Sequence, residues 1–227
     1  MKIIYFFFVV ILYDACSFSQ TDNDGFIFNF NTDSCTFSST GQNKYFILEK
    51  EYRLVLESED SEEQLIITVL DETKIVNGVE TRIAEERESK YGELREVSRN
   101  FFAICKETGD VFYFGEEVDI YKKGRIVKHS GEWLAEGENK SGLIMSGSYT
   151  IGYKYYQEYA PGEAMDRAEI ININEIFTTP AGKFSNCLKT LETTPLDPKE
   201  KEYKHYAPGI GLIQDGDLFL VKYGFTK

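Results

Sequence analysis

No apolar run in this chain reaches the length of a bilayer span. The most apolar stretch, Ile3 to Tyr13, is eleven residues long, against the roughly 20 that a spanning helix needs. Histidine occurs twice, at His129 and His205, and tryptophan once, at Trp133. The four cysteines are far apart and match no zinc-ligand spacing, so no metal site is expected. There is no phosphate-binding loop, no strand–serine–helix elbow and no pair of histidines on a helix face. Gly209-Ile210-Gly211 lacks the third glycine of a dinucleotide loop, and Asp22-Asn23-Asp24-Gly25 has no glutamate where a calcium loop needs one. No cofactor is expected.

Positive charge is also scarce. Twenty-five Lys and Arg stand against 38 Asp and Glu, for a net charge of −13. Nucleic-acid binding needs a basic stripe that releases counterions, and the whole-chain charge likewise opposes adsorption to an anionic membrane. The expected partners are a small apolar molecule or a component of the cell envelope.

What is present is enough for a core: 42% of residues are hydrophobic and 15% aromatic, which excludes global disorder. Lys2 followed by the apolar run from Ile3 to Tyr13 has the form of an export leader. Two exits are open. Cleavage after Ser19 would use small Ser17 and Ser19, and lipidation would use Cys16. The expected location is periplasmic or extracellular, or a membrane-anchored lipoprotein if Cys16 carries lipid, with no transmembrane span in the mature form. An exported chain permits disulfides. Removal of residues 1–19 leaves Cys35, Cys105 and Cys187, an odd number, and the pairing stays open.

Residues 20–44 are polar and are expected to form a linker, with Phe26, Phe28 and Phe30 in one short strand. From Tyr45 onward, short alternating runs are separated by turn residues, the pattern of an all-β domain. Asn77-Gly78 between Lys74-Ile75-Val76 and Val79-Glu80-Thr81 predicts a tight hairpin. The expectation is one antiparallel domain over 45–227, of about ten strands in a meander, curled into a barrel or half-barrel.

Candidate site residues are few. Glu117 and Asp119 fall on one face of a predicted strand, with Glu116 on the other, and two carboxylates on one face can bind a cation or act as acid and base. Asp166 and Arg167 follow a Pro-Gly bend. The segment Y-x-x-Y-A-P-G occurs twice, from Tyr156 to Gly162 and from Tyr203 to Gly209. Tyr159 and Tyr206 could clamp a ligand, but the simpler reading is two strands that end in the same bend.

From Asn43 to the C-terminus, about four-fifths of the chain, the sequence resembles a group of exported bacterial proteins of unknown function. The segments that carry this are Asn43 to Leu48, Val69 to Lys74, Phe112 to Asp119, Ala164 to Glu169 and Tyr206 to Leu212. The ending is similar to a wider set of curved-sheet envelope proteins, through Thr179 to Gly182, Phe184 to Cys187 and Pro208 to Leu212. Lys44 and Ile47 stand where those proteins often have proline. The resemblance implies a strongly curved antiparallel sheet in the envelope and supplies no catalytic residues. The expected function is non-catalytic binding of an apolar ligand or envelope component on a concave sheet face. The alternative is a carboxylate-dependent hydrolase using Glu117 and Asp119.

Overall fold

The computed structural model describes residues 20–226, so the expected leader and Cys16 lie outside the described residues. Within them the chain is all β, with no helix, and hence none long and apolar enough to cross a membrane. There are nineteen strands rather than ten. β1 (Gln20–Thr21), β2 (Ile27–Asn29), β3 (Phe37–Ser38), β4 (Gly41–Asn43) and β5 (Phe46–Leu48) are short. β6 (Tyr52–Ser58), β7 (Glu63–Val76), β8 (Val79–Lys90), β9 (Glu93–Cys105) and β10 (Val111–Lys122) form a long meander. β11 (Arg125–Lys128), β12 (Trp133–Leu134), β13 (Gly142–Met145) and β14 (Lys154–Tyr156) are again short. β15 (Arg167–Thr179), β16 (Gly182–Thr193), β17 (Lys201–Ala207), β18 (Gly211–Asp215) and β19 (Leu218–Phe225) form a second meander.

The surplus strands come from segments rich in turn residues. Residues 125–134 break at 129–132 into β11 and β12, and within 148–159 only the three residues of β14 form a strand. Conversely, β7 runs for 14 residues, with an irregularity between Val69 and Thr73. Asn77 and Gly78 take φ of 48° and 80°, so the hairpin between β7 and β8 is the tight turn that its sequence predicts.

Seventeen strands make one mixed sheet, and β4 and β5 pair separately. β19 joins the two meanders by pairing with β6. The far flanks are β10 with β13 on one side and β14 with β15 on the other. Among the described residues only one bridge, Lys140 to Tyr159, links them, and the ladder does not close into a barrel. Gly142 allows a close approach here, because a Cβ on it would lie 1.9 Å from the Gln157 carbonyl oxygen. Beyond β14 the chain bulges, and the amides of both Gln157 and Glu158 donate to the Asp166 carbonyl.

Residues 20–44, expected as a linker, are structured. β2 pairs in parallel with β14, and β3 pairs with β9. Phe30 and Phe37 pack against Phe112, and Phe26 is buried. This cover explains why Phe101 to Cys105 and Val111 to Phe114 are buried on both faces of their strands. A disulfide joins Cys35 to Cys105 across 70 residues, and Cys187 is a buried free thiol. A loop of that length makes the cross-link worth about 4 kcal/mol, mainly through the unfolded chain. Cys35→Ser is therefore expected to lower the melting temperature by about 8–16 °C. A reduced protein that melts like the oxidised one in calorimetry would contradict this.

Candidate functional site

Side chains alternate across a strand, so each register defines two faces of the sheet. On the inward face of β8 lie Ala84, Glu86 and Glu88. Their partners on β9 are Asn100, Ser98 and Glu96, and Glu116 on β10 pairs with Asn100. In the second meander, Ala168 pairs with Glu192, Glu192 with Glu202, and Lys204 with both Thr190 and Asp215. The two meanders face each other, since one cavity of about 100 Å³ is lined from both. Leu54, Ile67, Val69 and Phe102 come from one side, and Tyr206 and Leu212 from the other. Glu86, Lys204 and Asp215 stand at its polar end.

Beyond the cavity the inward face is acidic. Lys204 Nζ lies 3.3 Å from Glu192 Oε2 and 3.3 Å from Asp215 Oδ1. Glu192 Oε1 accepts from Gln157 Nε2 at 3.0 Å and Thr190 Oγ1 at 3.3 Å, with the Tyr206 hydroxyl at 3.5 Å. Glu86, Glu88, Glu96, Glu116, Glu158, Asp166 and Glu202 complete the lining, giving nine carboxylates to one ammonium among the described residues.

Burial and crowding shift these groups together. Burial pushes the Glu86 carboxyl up to about 8, with the Asp215, Glu88 and Glu116 charges adding to the rise. Glu116 rises to about 7, chiefly through burial, although a hydrogen bond from Tyr113 opposes the shift. Glu202 reaches about 7 through burial and the neighbouring Asp215. Burial and then Glu116 hold Glu158 well above the carboxylate range. Burial also raises Asp166, Glu88 and Glu96. Glu88 and Asp166 keep solvent access at the rim yet are hemmed in by protein, as carboxyls on a concave wall are. Burial alone would depress the Lys204 ammonium, but Asp215 and Glu192 outweigh it and hold the proton well above the usual range.

The expected site residues separate into three places. Asp166 and Tyr206 join the acidic interior around Glu192. Glu117 and Asp119 lie on the outer face. Glu117 is paired with Lys74, while Asp119 meets Arg99 at 3.2 Å and His129 at 3.1 Å. Each carboxylate there is held by its own partner, Glu117 by Lys74 and Asp119 by Arg99. Tyr159 and Arg167 belong to the N-terminal cover. Tyr159 stacks on Phe28 at 4.9 Å, and Arg167 binds Asp22 and Asp24, each at 3.1 Å, beneath the Phe26 ring. Tyr156 and Tyr159, which regular alternation would place on opposite faces of a strand, touch edge to face at 5.5 Å across the bulge at 157–158. Gly162 and Gly209 take φ of 88° and 71°, as a bend at each strand end requires.

Among the described residues, the donors that converge tightly enough for a metal are Cys35, Cys105 and Glu107, and both sulfurs are spent in the disulfide. The interior carboxylates are spread along a wall instead. No family model, no curated protein and no solved structure matches this chain.

Proposed function

We propose that this is an exported, non-catalytic binding protein, whose curled sheet acts as a half-barrel holding a small apolar ligand with a cationic end. The carrying observation is the cavity between the meanders, lined mostly by apolar side chains with Glu86, Lys204 and Asp215 as its charged groups. Its size sets the scale. A dry cavity of about 150 Å³ admits a benzene ring, so about 100 Å³ takes a short alkyl chain or part of a ring, not a lipid tail. Glu86 sets the charge preference: an alkylammonium beside it favours its ionised form, whereas a fatty acid would meet the Lys204 ammonium already held by Glu192 and Asp215. The Cys35–Cys105 disulfide supports an oxidising compartment, and hence export, as does the resemblance to envelope proteins.

The probes are hexylamine and hexanoate at equal millimolar concentration in a thermal-shift assay. Hexylamine is expected to raise the melting temperature, and hexanoate to leave it unchanged. Leu54→Trp, which fills the cavity, is expected to abolish the response. Equal shifts from both probes, or an undiminished shift in the filled variant, would refute the assignment. A second reading, a carboxylate-dependent hydrolase, moves from Glu117 and Asp119 to Glu116 and Glu158. The near-neutral titration of Glu116 beside a protonated Glu158 is the usual setting of an acid and a base.

A further inference from the structure

The turn between β10 and β11 reverses the charge of the rest of the molecule. Lys122, Lys123, Arg125 and Lys128 lie within seven residues that contain no acid, on a protein of net charge −13. All residues from Lys122 to His129 are exposed, so this two-stranded ribbon stands clear of the body on both faces. Ile126 and Val127 are 47% and 59% exposed. Among the described residues none of the four cations enters an ion pair, whereas the neighbouring Lys74, Arg99 and His129 are all paired with carboxylates. Lys122 pairs with Arg125, and Tyr121 with Ile126. Cations and β-branched side chains therefore occupy both sides of the ribbon.

We propose that this ribbon docks the protein on an anionic lipid surface, with the cations at the headgroups and Ile126 and Val127 in the interface. The bland role for edge lysines is to discourage strand pairing, but that role does not call for two apolar side chains held in water between them. A ribbon with cations beside apolar side chains on both faces is complementary to a layer of anionic headgroups over apolar chains rather than to an apolar protein groove. Three of its four cations are lysines, which suit diffuse charge more than bidentate recognition. The overall negative charge does not forbid this. Lys122 lies two residues beyond Ile120, whose ladder partner is Glu96 at the end of the acidic wall, and among the described residues no carboxylate of that wall pairs with a cation of the ribbon.

The test is co-sedimentation of the purified chain with vesicles of 30% phosphatidylglycerol in phosphatidylcholine, and with pure phosphatidylcholine, at 150 mM salt. Binding is expected to the anionic vesicles only; an acyl anchor at Cys16 would bind both. Each cation contributes about fivefold, so replacing all four by Gln should abolish binding, and Ile126→Ser with Val127→Ser should weaken it about tenfold. Raising salt to 500 mM should release the unmodified protein, which tests the charge term without any substitution. Failure to bind anionic vesicles, binding unaffected by the Gln substitutions and by salt, or tighter binding to soluble polyglutamate than to vesicles would each overturn the proposal.

Discussion

The melting temperature is expected to peak near pH 5 and to fall by on the order of 15 °C between pH 5 and pH 8.5. The sign follows from the interior carboxyls. Glu86, Glu116 and Glu202 bind their protons up to about 8, 7 and 7 in the folded protein, but only up to the ordinary glutamate value when unfolded. A raised folded value gives stability that is complete below the unfolded value and lost as pH rises through the folded one. Glu88, Glu96, Glu158 and Asp166 shift in the same direction. With solvent screening allowed for, each contributes on the order of 1 kcal/mol or less. One group opposes them in this window. His205, buried against Phe177 and bonded to Glu175 and Gln214, is held below the usual histidine range, first by burial. It costs stability as pH falls below about 6.5, but it exchanges one proton against several. Scanning calorimetry across pH 4.5–9 would show the slope. Glu86→Gln combined with Glu116→Gln should flatten it, and a melting temperature that rises from pH 5 to 8 would rule the mechanism out.

That the fold class was legible and this interior was not has a local cause. Alternation and turn residues read out element by element, and Asn77-Gly78 specifies its hairpin without help from elsewhere. The position of the acidic wall depends on which face of each strand turns inward, and that is decided by partners far away in the chain. Glu116, Glu117 and Asp119 illustrate this. The alternation separates Glu116 from the other two, yet nothing local says that the lone carboxylate joins the acidic interior while the pair lies on the outer face and finds Lys74, Arg99 and His129. Glu192, Glu202, Lys204 and Asp215 look like the wet face of a half-buried sheet. A signal was available in the pattern Glu86-x-Glu88, directly after Ala84 on the same face. A strand whose inward side passes from apolar to acidic has one end in a core and the other at a mouth. Residues 20–44 are the complementary case: their polar composition reads as a linker, although Phe26, Phe30, Phe37 and Cys35 attach the segment to β9, β10 and β14. The bulge at 157–158 lies against Gly142, a contact that no local pattern announces.

Lys204→Met is expected to cost about 3 kcal/mol at pH 7.5 and much less at pH 5. Among the described residues Lys204 is the one cation facing the acidic interior, and its ammonium lies 3.3 Å from both Glu192 and Asp215. Methionine keeps the unbranched stem, so the apolar contacts of the chain largely survive. What is lost is the charge, and two enclosed carboxylates then face each other and their acidic neighbours uncompensated. Removing one partner of an enclosed pair costs more than the pair itself is worth, because the remaining charge has neither water nor a counterion. At pH 5 the neighbouring Glu86, Glu116 and Glu202 hold their protons, so the stranded charges face fewer like charges and the penalty shrinks. The double variant Lys204→Met with Glu192→Gln should regain part of the loss at pH 7.5, since the amide that replaces the carboxylate keeps hydrogen-bonding capacity toward Gln157 and Thr190 without the charge. Urea unfolding of the three proteins at both pH values separates the possibilities. A loss for Lys204→Met that is small and the same at pH 5 and pH 7.5 would mean that the lysine serves by its stem alone, and the electrostatic account of this interior would have to be abandoned.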